Sequence, residues 1–171
     1  MKKYLHYFFA AVIAPACLAG CSSDNDDAGA TDAVMLKNVY STGCKTGAME
    51  ASPMTRASFA EKGFSEYIEY TSKDDGYVYF THHNVLSDCC DEAIEVSIER
   101  EGSDIVIVES EDNLCNCICP FDVSFELGPF TFGKYTVKIK RQFDQASDSA
   151  PSDYFTFSFF YPGHGKVEVN R

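Results

Sequence analysis

Phe121-Asp122-Val123-Ser124-Phe125-Glu126-Leu127 alternates apolar and polar residues without a break. After Gly128-Pro129 the alternation resumes at Tyr135-Thr136-Val137-Lys138-Ile139-Lys140. Successive side chains of an extended strand point to opposite faces, so a period of two marks a strand with one buried and one solvated side. The same reading extends in both directions. Phe155, Phe157 and Phe159 carry a later strand beyond a polar loop from Gln142 to Asp153, and Val167-Glu168-Val169 forms a short edge. Upstream, Ile94, Val96 and Ile98 alternate with Glu95, Ser97 and Glu99. Glu101-Gly102-Ser103 then turns the chain into Asp104-Ile105-Val106-Ile107-Val108, apolar on both faces and expected in the interior. Phe64, Glu66, Ile68 and Tyr70 alternate with Ser65, Tyr67, Glu69 and Thr71. Lys73-Asp74-Asp75-Gly76 offers a hairpin turn, and Tyr77-Val78-Tyr79-Phe80-Thr81 returns.

Helix is expected only as a short piece near Ser52 to Lys62, and Val34 to Thr55 is left open between an edge strand with a loop and irregular structure. Seven or eight mostly antiparallel strands at this spacing predict an all-β domain, a β-sandwich of immunoglobulin-like size, with a β-barrel as the alternative. The run Leu127-Gly128-Pro129-Phe130 followed by Gly133-Lys134-Tyr135-Thr136-Val137-Lys138-Ile139 resembles the late strands of such sandwiches, where a Gly-x-Tyr strand closes the core.

The N-terminus carries an address. Lys2 and Lys3 precede a mostly apolar run from Leu5 to Leu18, too short for a permanent bilayer span, and Ala19-Gly20 are the small residues a signal peptidase needs. Leu18-Ala19-Gly20-Cys21 resembles the bacterial lipobox, which implies that Cys21 takes a diacylglycerol before cleavage and is acylated afterwards. Ser22-Ser23-Asp24-Asn25-Asp26-Asp27 and the residues after it are polar and acidic, a composition that reads as a flexible tether. That acidic run is similar to the surface-export signal of Bacteroidetes lipoproteins. The resemblance implies an outer-membrane protein displayed on the cell surface; an ordinary tether facing the periplasm is the alternative. The expected organisation is a signal peptide over 1–20, a tether over 21–34 and one domain over 35–171.

The net charge is −12, and cleavage would remove two lysines and no acid. A polyanion repels nucleic acid and anionic headgroups, so neither nucleic-acid binding nor docking to a bilayer by a protein patch is expected. Ten Tyr and fourteen Phe with no Trp describe an aromatic β core, and Tyr leaves stacking on a glycan open. An unidentified protein or glycan is the expected ligand.

Beyond the anchor lie Cys44, Cys89, Cys90, Cys115, Cys117 and Cys119, an even number that outside the cytosol reads first as disulfides. Joining Cys89 to Cys90 would strain the intervening peptide, and neighbours two apart on one strand sit at the limit of bridging distance. Bridges are therefore expected between segments: Cys89 and Cys90 to two of Cys115, Cys117 and Cys119, with Cys44 taking the third. If the strand through Phe121 extends back unbroken past Pro120, these three share its buried face. Two other readings stay open: free buried thiols, and a Zn or Cu site built from His82, Cys89, Cys90, Cys115, Cys117 and Cys119. No Cys-x-x-Cys of a thiol-exchange enzyme is present.

His82 and His83 are placed at a strand end on opposite faces, His164 in a turn between Gly163 and Gly165, and Glu109, Glu111 and Asp112 on a solvated hairpin face able to hold a cation only weakly. No Gly-x-Ser-x-Gly turn and no phosphate-cradling glycine loop occurs, so no catalytic residue is assigned and enzyme activity is not expected. The set Thr81-His82-His83-Asn84, Asp88-Cys89-Cys90, Cys115-Asn116-Cys117-Ile118-Cys119-Pro120-Phe121-Asp122 and Gly133-Lys134-Tyr135 resembles a pattern of uncharacterised Bacteroidetes lipoproteins, implying location and fold but no role for any residue.

Overall fold

The structure, a computed structural model, describes residues 34–45, 56–61, 63–90, 93–101, 104–111, 117–143 and 150–170. The signal-peptide and tether expectations, Cys21, Cys115 and Asp112 lie outside the described residues. The strands are β1 (Met35–Ser41), β2 (Tyr67–Ser72), β3 (Val78–Asp88), β4 (Glu95–Glu101), β5 (Asp104–Glu111), β6 (Ile118–Gly128), β7 (Gly133–Phe143), β8 (Ser152–Tyr161) and β9 (His164–Glu168), with one helix, α1 (Arg56–Glu61). They form a two-layer β-sandwich: a five-stranded sheet in the order β1-β6-β3-β2-β9 faces a four-stranded sheet in the order β4-β5-β7-β8. Every adjacent pair is antiparallel except β5 and β7.

The expected alternation becomes layer assignment. Val123, Phe125 and Leu127 of β6 lie fully inward beside Val78 and Phe80 of β3, and Val137 and Ile139 of β7 oppose them from the other sheet. Phe80 is the hub of an aromatic cluster, with ring centroids 5.3 Å from Phe159, 5.5 Å from Phe125 and 6.0 Å from Phe157. Such edge-to-face and offset pairs add to simple area burial. The interior position expected for β5 is observed: it lies between β4 and β7, with Ile105 to Val108 buried. Asp75 accepts the Tyr77 N–H at 3.1 Å in the β2–β3 hairpin, where Gly76 sits at φ +87°. The helix ends on Gly63 at φ +88°, the left-handed position that glycine occupies without a Cβ penalty, and holds Phe59 fully inside.

Tyr135, near the start of β7, donates its hydroxyl to the Thr131 carbonyl at 3.0 Å and accepts the Thr131 N–H at 3.2 Å, so the loop is fastened to the strand that follows it. This is the tyrosine-corner geometry of sandwich folds. The order of strands and the parallel pair were not expected from sequence, and the strand number is higher because Met35–Ser41 is a paired edge; the short edge expected at Val167 to Val169 is β9, which begins at His164, expected in a turn.

The sandwich is polarised along its strands. At one end lie Met35, Gly128 and the three connections through Asp75, Phe132 and Pro162. At the other lie the cysteines, the end of β3 and the start of β6.

Candidate functional site

The chemistry gathers at the cysteine end. Cys44 is bonded to Cys119 and Cys89 to Cys117, with Cα–Cα separations of 5.7 and 5.6 Å, and Cys90 is also disulfide-bonded. Both described bridges cross between segments. Pro120 does not break the register: Cys119, Pro120 and Phe121 pair in sequence with Ser87, Leu86 and Val85, which leaves Cys119 fully buried on the face of Phe121. Cys44 lies beyond β1, so its bridge ties the end of that edge strand to the neighbouring interior strand β6.

Just inside the bridges, β3 and β6 shift register between His82 and Val85. A bulge leaves two residues opposite one and re-aims the side chains around it. Asn84 takes φ +58°, a left-handed conformation that Asn tolerates better than most residues. It is held by its own N–H donating to Asp122 Oδ1 at 3.0 Å and by its side-chain amide donating to the Ser65 carbonyl at 2.7 Å.

Lys45 Nζ meets Asp122 Oδ1 at 2.6 Å and donates to Asn84 Oδ1 at 2.8 Å, and His83 Nδ1 lies 3.3 Å from the same Asp122 oxygen. Burial opposes ionisation of Asp122, but Lys45, the Asn84 N–H and His83 outweigh it and hold the carboxyl below its ordinary value. The His83 ring stacks on Tyr67 at 4.5 Å, and Lys166 Nζ lies 3.8 Å from the Tyr67 centroid on its edge-strand side. This partly exposed face alternates charge with aromatic rings. Beside it, Glu69, Tyr70, Thr71, His164, Gly165 and Lys166 line a shallow depression of about 360 Å³, open to solvent.

His82, just ahead of the bulge, faces the other way, between the sheets, on the same parity as Val78 and Phe80. Rather than sitting at a strand end, His82 lies within β3 and is completely buried, with Nδ1 2.8 Å from Glu109 of β5 and Nε2 3.0 Å from Glu66 ahead of β2. Tyr154 donates its hydroxyl to the same Glu66 oxygen at 2.6 Å. Arg141 of β7 is bonded to Glu111, and its Nε faces Glu109 at 3.9 Å.

Burial alone would drive the imidazole toward its neutral form. The Glu109 carboxylate and its hydrogen bond, reinforced by Glu66, reverse that and raise the pKa to about 9. Burial likewise pushes Glu109 upward, but His82 and Arg141 prevail and hold it below the ordinary carboxylate value. His82 is therefore an imidazolium at neutral pH, clamped by carboxylates from both layers. Without solvent access, this cluster joins the sheets instead of meeting a ligand.

The sequence placed Glu109 and Glu111 on a solvated face; both are buried and paired with cations. The available signal was parity: Glu109 and Glu111 continue the inward positions of Ile105 and Ile107, and Arg141 continues those of Tyr135, Val137 and Ile139. Of the set considered for Zn or Cu, Cys89, Cys90, Cys117 and Cys119 are disulfide-bonded and both His82 nitrogens face carboxylates. Among the described residues no group of three or more His, Cys, Asp or Glu side chains is arranged to hold a metal. No family model, curated protein or solved structure matches the chain.

Proposed function

We propose that the chain is a lipid-anchored protein of the cell envelope, a disulfide-stabilised binding or structural module attached through Cys21 and displayed on the outer surface of an outer membrane. The observation that carries the reading is the coincidence of two independent marks of export: a lipobox-like Leu18-Ala19-Gly20-Cys21 after a signal-like leader, and cross-segment bridges at Cys44–Cys119 and Cys89–Cys117. Structural disulfides of this kind persist only where the compartment is oxidising. The side offered to a ligand is the face built on Tyr67, His83, Asp122 and Lys45, next to the bridges. Its mixture of aromatic planes and hydrogen-bonding groups suits a glycan or a polar protein surface.

Metabolic labelling with palmitate tests the anchor: the wild-type chain takes up label and the Cys21→Ser variant does not. Protease added to intact cells tests the display, since a chain facing the periplasm survives it. Thiol titration without reductant separates this reading from the soft-metal alternative, which needs reduced cysteines at Cys89, Cys90, Cys115, Cys117 and Cys119.

A further inference from the structure

We infer that the end of the sandwich opposite the disulfides is a second contact with the membrane, a loop tip that seats Phe132 in the interface of a zwitterionic bilayer. This rests on the anchor reading of Cys21. The chain reaches the domain at Met35, and Met35 pairs with Gly128, so the tether is delivered to the end where β6 turns into β7. Three connections are knitted together there. Phe130 donates its N–H to the Gly76 carbonyl at 2.7 Å, Tyr161 donates its hydroxyl to the Lys73 carbonyl at 3.0 Å, and Gly163 donates its N–H to Ser72 Oγ at 2.8 Å. Loops fastened in this way form a rigid tip.

The tip is apolar where it meets solvent: Phe132 is 87% exposed, Phe160 59% and Met35 57%. Phe132, on the turn itself, is the most exposed large hydrophobic side chain among the described residues; the exposed hydrophobics toward the cysteine end, Tyr40, Phe143 and Ile118, are 64%, 48% and 41% accessible. The charge is also local. The chain as a whole carries −12, yet Lys37, Lys73 and Lys134 at this end match Asp74, Asp75 and Glu126. The overall polyanion argues against anionic headgroups; the tip itself is close to neutral. Twelve residues lie between Cys21 and Val34, and their contour cannot exceed roughly 45 Å at about 3.6 Å per residue, so the anchor holds the tip within about that distance of the bilayer. The Tyr67–His83–Asp122 cluster, in the half of the sheet nearer the cysteines, then stands clear of the membrane.

The chain contains no Trp, so one introduced indole reports its surroundings alone. The acylated protein carrying Phe132→Trp, and separately Ile118→Trp at the opposite end, is reconstituted into phosphatidylcholine vesicles with and without brominated acyl chains. Ile118 is also exposed, so neither substitution disturbs the core. The expected result is a blue-shifted emission, quenched by brominated lipid, for Phe132→Trp and unshifted, unquenched emission for Ile118→Trp, with both proteins floating with the vesicles. Flotation without quenching at Phe132, or with equal quenching at both positions, overturns the docking and leaves the anchor standing. A chain that fails to float overturns the anchor and the docking with it.

Discussion

Replacing His82 by Gln should remove a buried cation that both layers of the sandwich clamp. In the folded protein the imidazole pKa is raised from 6.5 to about 9. At 1.36 kcal/mol for each pKa unit this corresponds to about 3 kcal/mol, a large share of a typical total of about 5–15 kcal/mol. The sign follows from proton counting. Below pH 6.5 folded and unfolded chains both hold the proton and the contribution is complete; between 6.5 and about 9 only the folded chain holds it, so stability falls as pH rises, by about 1.4 kcal/mol per unit. Glu109 acts oppositely: its depressed pKa contributes fully above 4.5 and is lost as pH falls through the folded value. Stability should therefore be greatest between pH 4.5 and 6.5.

In His82→Gln, Glu109 is left buried with only Arg141 nearby, at 3.9 Å, and breaking a buried pair on one side costs about 3–5 kcal/mol. Urea unfolding followed by Tyr fluorescence and circular dichroism, with disulfides intact and at half-unit steps from pH 4 to 9.5, measures both effects. The variant curve should lie lower and run level between 6.5 and 9. A wild-type curve that is level across that window, or a variant within about 0.5 kcal/mol of wild type, refutes the imidazolium clamp.

Removing Cys44 and Cys119 together opens a crosslink of 75-residue separation and should cost about 4 kcal/mol by the chain-entropy relation, read from urea midpoints. Non-reducing peptide mapping should return Cys44–Cys119 and Cys89–Cys117, with no free thiol at Cys90. Tyr135→Phe deletes the hydroxyl that joins Thr131 to β7 and should lower stability by about 1 kcal/mol in the same assay. At Asn84, with φ +58°, Gly should be tolerated better than Ala, because both lose the amide bond to Ser65 but only Ala retains a Cβ in a left-handed conformation; thermal melts of the two variants rank them.

The strands were legible because apolar parity is strong at Phe121 to Leu127 and Tyr135 to Ile139, and the turn at Asp74-Asp75-Gly76 because its residues suit one. The buried cluster was not, although each member sits at an inward parity position. Glu66 follows Phe64 and precedes Ile68, and His82 follows Val78 and Phe80. Residue identity argued for solvent while parity argued for the core. Parity prevailed because carboxylates on one sheet meet cations from the other, and that cross-layer pairing is not encoded in any local window. The parallel β5–β7 pair was hidden for a related reason: β6, which lies between them in sequence, belongs to the opposite layer. The bulge at Asn84 likewise depends on Asp122, which lies 38 residues away.

The Cys44–Cys119 bridge gives the edge strand a covalent stop. Force applied through the N-terminal segment would peel β1 from β6 starting at Met35, and the peeling must halt at Cys44. At roughly 3.3–3.6 Å per residue, the ten residues beyond Val34 give the detached arm a reach of about 35 Å from the bridge and no more. Everything within the 75-residue span closed by that bridge lies off the covalent path between the chain ends, so tension drawn along that path passes through the sulfur atoms and bypasses β2 to β5.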